Sequence, residues 1–295
     1  MKVYLNGEFV DEREARVSVF DRGFLLGDGV FEGLRTSGGV VIALDKHVER
    51  MRHGMEECRI ATRGKMGEHF DPVEMGPLTK RLLDHNKASI KNGDAFVYWQ
   101  VTRGVPAEGQ PRRARVLHGV QRPTVFAFLS PAAAVETYIE PESRKVSLRP
   151  DTRWTRGHIK AISLIGGVLS AIEADESGSD DSIMFRDGLI TEGSATNVFL
   201  AKDGKLLTPS LTSAPMLAGA TRALVMEADS SIIEKPITVE ELLAADEVML
   251  AGTNTMIAAV THLDGRPIGG GKPGPMAKRL LATLVKAIQR DVETQ

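Results

Sequence analysis

The stretch Asp151-Thr152-Arg153-Trp154-Thr155-Arg156-Gly157-His158-Ile159-Lys160-Ala161-Ile162-Ser163-Leu164-Ile165-Gly166-Gly167-Val168 sets one amine, that of Lys160, at the head of an uncharged run. Desolvation disfavours an ammonium, so a lysine shielded by such a run has its pKa lowered and offers more unprotonated amine to a carbonyl carbon. A lysine whose stem packs while its head reaches water gives the same local pattern, so the stretch alone leaves both readings open. Its periodicity predicts a helix from about Lys160 to Asp175.

Working outward, further pieces match the needs of one cofactor, pyridoxal 5'-phosphate. It requires an aldehyde-binding lysine, a proton-sharing partner for its ring nitrogen and a cup for its phosphate. Glu192 is a candidate to keep the pyridine nitrogen protonated. Leu217-Ala218-Gly219-Ala220-Thr221-Arg222 turns into the apolar run Ala223-Leu224-Val225-Met226, which sets backbone N–H groups at a positive helix end suited to phosphate. Arg50 is a candidate bidentate contact, and Gly252-Thr253-Asn254-Thr255 a turn with hydroxyl and amide donors. Each piece taken singly also has an ordinary capping or surface explanation.

Composition narrows the classes. At 295 residues, with 37 lysines and arginines against 39 acids, the chain is about twice the usual single-domain size and carries no sustained basic field. Two domains or one large α/β unit are expected, and nucleic acid is not an expected partner. Apolar runs such as Val125 to Leu129 and Met256 to Val260 fall far short of a bilayer span, and Met1-Lys2-Val3-Tyr4-Leu5-Asn6-Gly7 turns polar too early for a secretion signal. No membrane association and a cytoplasmic location are therefore expected. The single cysteine, Cys58, has no intrachain disulfide partner and is expected to pack. His47 and His53 are six residues apart and His69, His85, His118, His158 and His262 stand alone, so no metal site is expected. Gly27-Asp28-Gly29-Val30-Phe31-Glu32-Gly33 misses the dinucleotide spacing, Gly269-Gly270-Gly271 lacks a P-loop's lysine and hydroxyl, and Glu192-Gly193-Ser194-Ala195-Thr196-Asn197 has half of a hydrolase elbow.

Both halves of the chain mix strands and helices. Val3-Tyr4-Leu5, the turn Asn6-Gly7 and Phe9-Val10 predict a hairpin. Val40-Val41-Ile42-Ala43-Leu44 reads as a strand, with Asp45 capping a helix that carries Val48, Met51 and Met55 on its apolar face. A polar stretch from Arg63 to His69 leads to a helix through Leu78, Leu82 and Leu83, then to strands at Ala95 to Val101 and Thr124 to Leu129. Ser130-Pro131-Ala132-Ala133-Ala134-Val135 is small and uncharged and reads as the hinge. The expected division is an N-terminal α/β domain over residues 1–130, a linker over 131–136 and a C-terminal α/β domain over 137–295 that binds the cofactor. Beyond the hinge, strands are predicted at Lys145 to Leu148, Ile183 to Phe185 and Val198 to Leu200, and helices near Thr221 to Glu227 and Met276 to Val292.

Phe20-Asp21-Arg22-Gly23, Gly27 to Gly33, His47-Val48-Glu49-Arg50-Met51, Ile159-Lys160, Thr191-Glu192-Gly193-Ser194, Asn197-Val198-Phe199, Gly219-Ala220-Thr221-Arg222 and Gly252-Thr253 follow one another in this order. In that order the chain resembles the class IV, fold type IV pyridoxal-phosphate-dependent aminotransferases along nearly its whole length. The resemblance implies Lys160 as the lysine bonded to the cofactor aldehyde and as proton shuttle, and Glu192 at the pyridine nitrogen. It implies Arg50, Ala220, Thr221 and Thr253 around the phosphate, with Ser194, Ala195, Leu217, Gly219 and Asn254 completing the cofactor site. It also implies a two-domain α/β (α+β) subunit with the cofactor between the domains, a homodimer whose partner contributes to the active site, and amino acids, amines and 2-oxo acids as substrates.

Within the family, Tyr98 in Val97-Tyr98-Trp99-Gln100-Val101-Thr102-Arg103-Gly104 and the stretch from Arg153-Trp154 to Lys160 resemble the D-amino acid enzymes. Branched-chain L-amino acid enzymes usually carry arginine where Tyr98 stands and tyrosine where this chain has Ile165, although Phe31 and Arg35 are similar to that branch. The D-amino acid type commonly presents an Arg-x-His pair after the Arg-Gly strand end to bind the substrate α-carboxylate. Here a longer loop, Val105 to Arg115, carries Arg112, Arg113 and Arg115 and no histidine at that place. A guanidinium from this loop can clamp a carboxylate, and three solvated loop charges are the alternative. The expected activity is transfer from a D-amino acid to a 2-oxo acid by a ping-pong mechanism, with (R)-primary amines as further donors. Phe31, Arg35, Tyr98, Arg113 and Arg115 are the expected substrate residues. A branched-chain L-amino acid aminotransferase and a 4-amino-4-deoxychorismate lyase of the same fold are the alternatives.

Overall fold

Asn6 and Gly7 take positive φ values of 49° and 101°, the backbone that a two-residue hairpin turn requires, and join β1 (Lys2–Leu5) to β2 (Glu8–Asp11) as the sequence predicts. The computed structural model describes residues 1–60, 70–118 and 122–295; the polar stretch expected from Arg63 to His69 lies outside them. The described chain forms two compact units.

The first unit comprises Met1–Ala134, Ile159–Ser163 and Gln295. After the hairpin come α1 (Arg22–Leu26), β3 (Gly29–Ser37), β4 (Val40–Val41), α2 (Leu44–Glu57), α3 (Met75–Asn86), β5 (Ala95–Thr102) and β6 (Thr124–Pro131). Six strands pair antiparallel in the order β2-β1-β6-β5-β3-β4. The period-2 alternation of β5 explains the layering: Ala95, Val97, Trp99 and Val101 point to the buried face, while Phe96, Tyr98 and Gln100 are half-buried on the other. On the buried face, Val48, Met51 and Met55 of α2 and Leu82 and Leu83 of α3 join one core cluster with Leu34, Phe70 and Trp99. Each fully buried side chain of this size contributes about 2 to 3 kcal/mol of hydrophobic stabilisation.

Two expectations need correction here. The strand expected over Val40 to Leu44 is only two residues long, and Leu44 already begins α2. Ala43, in the left-handed region at φ 52° and ψ 41°, occupies the N-cap, and Asp45 lies in the first turn, where its charge still complements the helix dipole.

The second unit comprises Val135–His158 and Leu164–Thr294. It contains β7 (Glu142–Pro150), α4 (Ile165–Glu176), β8 (Asp181–Arg186), β9 (Leu189–Gly193), β10 (Asn197–Lys202), β11 (Lys205–Pro209), α5 (Ala220–Ala228), β12 (Ile233–Lys235), α6 (Val239–Leu243), β13 (Glu247–Gly252), β14 (Met256–Leu263), β15 (Arg266–Pro267) and α7 (Pro275–Thr294). Its nine-stranded mixed sheet runs β12-β11-β10-β13-β14-β7-β8-β9, with β15 beside β14. The central strands β10 and β13 are almost wholly buried, and Val198 and Leu200 of β10 and Val248 and Leu250 of β13 form a second core with Val146, Ile183 and Val260. This mixed helix and sheet content is the α/β class the sequence predicts.

The helix expected from Lys160 begins instead at Ile165. Residues just before it pair with the start of β3: the Phe31 N–H donates to the Lys160 carbonyl at 3.0 Å, the Ile162 N–H to the Gly29 carbonyl at 3.1 Å, and Ala161 bridges Val30. Non-local strand pairing wins over local helix pattern. Ile159–Ser163, Lys160 included, groups with the first unit, and β6 runs on to Pro131. Among the described residues no helix is long and apolar enough to cross a membrane.

Candidate active site

In the first unit the pairing of residues 160–162 with β3 fixes where the Lys160 side chain leaves the backbone. Its Nζ lies 4.3 Å from the centroid of the Phe31 ring, a cation–π contact of order 1 kcal/mol. The uncharged run after Lys160 does not supply the expected shield, since Leu164, Ile165 and Val168 are 48%, 69% and 47% exposed. Phe31, from β3, lies against the amine instead.

Directly paired residues in an antiparallel sheet share a face. Phe31 pairs with Gln100, Gly33 with Tyr98 and Tyr98 with Phe128, so these side chains stand on the face away from the core. Phe31 stacks on Tyr98 at 5.5 Å between centroids, and tilted contacts follow from Tyr98 to Phe128 at 5.2 Å and from Phe128 to Phe126 at 5.9 Å. The Tyr98 hydroxyl donates to Gln100 Oε1 at 2.8 Å, and burial pushes its phenol up to about 12. Arg35 shares this face by its spacing from Phe31, but it is buried and its Nη2 donates to the Ala133 carbonyl. Arg113 and Arg115 are exposed on the loop after β5.

Behind that face, Glu32 is fully buried and meets two basic side chains of α2. It accepts from Arg50 Nε at 2.8 Å through Oε1 and from Arg50 Nη2 at 2.7 Å through Oε2, and His47 Nδ1 lies 2.7 Å from Oε2. A carboxylate only accepts, so His47 is the donor there. Burial pushes the Glu32 carboxyl up, but the Arg50 charge and hydrogen bonds, with His47, more than offset it and leave it at about 2. Burial holds His47 below its ordinary value; Glu32 opposes this, while the charges of Arg50 and Lys160 add to it. The Arg50 guanidinium plane is thereby fixed by a bidentate carboxylate.

In the second unit, Asp187 and Gly188, both at positive φ, turn β8 into β9 and so deliver Glu192 near the end of β9. Glu192 accepts from Arg153 Nη1 at 2.7 Å through Oε1, and from the Leu217 N–H at 3.1 Å and Asn197 Nδ2 at 3.5 Å through Oε2. Arg153 in turn donates from Nε and Nη2 to Asp151 at 2.9 and 2.8 Å. Burial opposes the Arg153 charge, yet Asp151 and Glu192 prevail and raise its pKa; burial likewise opposes the Asp151 charge, and Arg153 prevails and lowers it. Asn197 Nδ2 also donates to the Leu217 carbonyl at 2.9 Å, which draws the 217–219 segment against β10. Gly219 is the N-cap of α5 with no side-chain cap, so the first N–H groups of Ala220 and Thr221 form an anion-seeking helix start.

Nearby on the chain, the Ser194 hydroxyl donates to Asp181. Ala195 and Thr196 lie against Gly252: a Cβ there would meet Thr196 Cγ2 at 3.2 Å and the Ala195 carbonyl at 3.4 Å. Thr253 and Asn254 follow in the turn between β13 and β14. Thr196 Oγ1 is buried and has no hydrogen-bond partner among the described residues. The second unit thus gathers Glu192, Leu217, Gly219, Ala220 and Thr221, and sets Ala195 beside the strand end that leads to Thr253. A clamped carboxylate suits a protonated pyridine nitrogen, and an uncapped helix start with threonine hydroxyls suits a phosphate, so this donor set fits pyridoxal phosphate.

Sequence reasoning assigned no role to Glu32, His47, Arg153 or Asn197. The i, i+3 spacing of His47 and Arg50 on one helix was a usable signal, since it aims both at one partner. Arg153 and Glu192 are 39 residues apart and carried none.

Comparison with known proteins places the whole chain. Residues 29–263 match the amino-transferase class IV family. The chain belongs to that family and is a pyridoxal-phosphate-dependent aminotransferase. It is 34% identical to a D-alanine aminotransferase of Bacillus licheniformis, covering 98% of this chain and 97% of the relative. It is 33% identical to a putative branched-chain-amino-acid aminotransferase of Methanocaldococcus jannaschii, covering 95% and 94%. Among solved structures, the branched-chain aminotransferase of Thermoproteus uzoniensis with norvaline superposes with a TM-score of 0.80 at 27% identity, over 100% of this chain and 96% of the other.

Proposed function

We propose that this aminotransferase takes its amino group from D-amino acids and passes it to a 2-oxo acid such as pyruvate or 2-oxoglutarate by a ping-pong route, with (R)-primary amines as a second donor class. The observation that carries the reading is Tyr98, stacked 5.5 Å from Phe31 on the face against which the Lys160 amine is held. A neutral aromatic stands where the branched-chain enzymes usually carry arginine. Arg35 donates to the Ala133 carbonyl, so the substrate α-carboxylate is assigned to the exposed Arg113 and Arg115, whose planar forks match a carboxylate. The D-alanine aminotransferase relative supports the same reading. The branched-chain L-amino acid reading stays in second place, favoured by the Methanocaldococcus relative and the Thermoproteus structure.

Bound pyridoxal phosphate supplies an aldehyde carbon for amine exchange and a ring that takes up the electron pair released at the donor Cα. With the cofactor bound, Lys160 would hold its aldehyde, and the Nζ, once free, would remove the donor Cα proton as general base and return a proton as general acid. Glu192, held in place by Arg153, Asn197 and the Leu217 N–H, would keep a proton at the ring nitrogen. Arg50, Ala220, Thr221 and Thr253 would hold the phosphate, and Ser194, Ala195, Leu217, Gly219 and Asn254 would shape the rest of the cofactor site. Phe31, Arg35 and Tyr98 line the substrate side.

A homodimer is part of the proposal. Ile165, Val168, Leu169 and Ile172 stand at i, i+3, i+4 and i+7 on α4 and are all about half exposed or more, an apolar stripe that a second copy would cover. A cytoplasmic setting is the other part, supported by a single half-buried cysteine.

The test of specificity is a half-reaction panel that follows cofactor absorbance with D-alanine, D-glutamate, L-leucine and (R)-1-phenylethylamine. Bleaching by the D-amino acids is expected. Bleaching by L-leucine and not by either D-amino acid would overturn the reading in favour of the second.

A further inference from the structure

We propose that Arg22 is the positioning residue that holds the arginine-bearing loop of the substrate site, an inference that rests on the carboxylate-binding reading of Arg113 and Arg115. Arg22 opens α1 and is 3% exposed, an unusual place for an arginine that ends on a surface loop. Its Nε donates to Asp28 Oδ2 at 2.7 Å, its Nη1 to the Ala114 carbonyl, and its Nη2 to the Arg115 carbonyl at 3.2 Å. One guanidinium therefore grips two consecutive peptide carbonyls of the loop; the Arg115 side chain branches from the Cα between them, and the Arg113 side chain one residue before the first.

The anchor is itself held on all sides. Asp21 accepts from the Gly23 N–H at 2.7 Å and from the hydroxyls of Thr102 and Thr124 at 2.9 and 2.7 Å, and the Arg22 N–H donates to the Gly104 carbonyl at 2.9 Å. These bonds lock α1 to the ends of β5 and β6. Asp28 is shared with Arg103, which donates to it from Nε and Nη2 at 2.8 and 2.9 Å. Two guanidinium charges on one carboxylate leave an excess of positive charge. Carbonyl oxygens balance it: those of Ala114 and Arg115 for Arg22, and those of Cys58 and Arg59 for Arg103. On the loop's outer side the Arg112 guanidinium lies 4.5 Å from the Phe20 ring centroid. The Phe20-Asp21-Arg22 motif thus touches the loop at residues 112, 114 and 115. Asp28 directly precedes Gly29, whose carbonyl accepts from Ile162, so the loop is tied to the strand that pairs with the lysine segment. A lysine at position 22 keeps the charge but lacks the fork that reaches Asp28 and both carbonyls together.

The experiment compares wild-type, R22K and R22Q holoenzymes in two ways. In limited trypsin digestion, cleavage after Arg112, Arg113 and Arg115 is expected to accelerate about tenfold in either variant, with other sites unaffected. In kinetics, KM for D-alanine is expected to rise about five- to tenfold, while the half-reaction rate with (R)-1-phenylethylamine, which has no carboxylate, stays within about twofold. R22K retains the Asp28 pairing and decides the matter if R22Q does not fold. Unchanged cleavage in both variants, or a parallel loss with D-alanine and the amine, would overturn the proposal. An R113A/R115A variant separates the underlying reading: an unchanged KM for D-alanine there, alongside accelerated cleavage in R22K, would retire the carboxylate assignment and leave Arg22 as the loop's anchor.

Discussion

Glu32 shows how much one residue's charge depends on its neighbours. Burial alone pushes its carboxyl up; with Arg50 and His47 beside it the carboxyl falls to about 2. A carboxyl whose folded-state pKa lies below its unfolded value stabilises the fold above the unfolded value, and that stabilisation is lost as pH falls through the folded one. The window here runs from the ordinary 4.5 down to about 2. Glu32→Gln removes the carboxylate that pairs with Arg50, and chemical unfolding at neutral pH is expected to show a loss of about 3 kcal/mol that shrinks as the pH drops through that window. Equal stability of the two proteins at pH 7 would show that the network carries no net energy.

Arg153 holds Glu192 through a 2.7 Å hydrogen bond at the carboxylate. Arg153→Met keeps much of the side-chain volume, removes the hydrogen bond that orients the Glu192 carboxylate and is expected to lower kcat by about tenfold with a smaller change in donor KM, since a carboxylate free to turn holds the ring proton less well. Steady-state kinetics at saturating cofactor checks this, and an unaltered kcat would assign Arg153 to folding alone.

At the scale of elements, the β8–β9 hairpin sets the position of Glu192 through a turn whose Gly188 has φ 78° and nothing within 4 Å of where a Cβ would be. Gly188→Ala therefore tests backbone strain without a clash and is expected to cost about 1 kcal/mol in thermal unfolding. Turns of this kind were legible at Asn6-Gly7, where local chemistry suffices. Most strands and helices flanked by clear periodicity were legible as well, among them α3, β5, α5 and α7. The helix start at Ile165 was not, because the backbone of residues 160–162 is claimed by β3, far away in sequence. The continuous apolar runs of β13 and β14 were also unreadable as strands, since central strands buried on both faces lose their alternation. For the site, Lys160, Glu192 and Arg50 stood out because their motifs are local. Glu32 and Arg153 did not, because a partner is visible only once strand and helix are folded.

For the whole molecule, the proposed homodimer is tested at the apolar stripe on α4. Val168→Glu places a charge in that stripe and is expected to shift the mass measured by light scattering from twice the chain mass toward one chain mass, with activity falling in step. A wild-type protein that is monomeric at micromolar concentration would remove the dimer from the account. The account as a whole turns on one amine, that of Lys160. Reducing the holoenzyme with borohydride and mapping the labelled peptide by mass spectrometry tests it most directly: the cofactor label is expected on Lys160, and a label on any other lysine, or none, would contradict it.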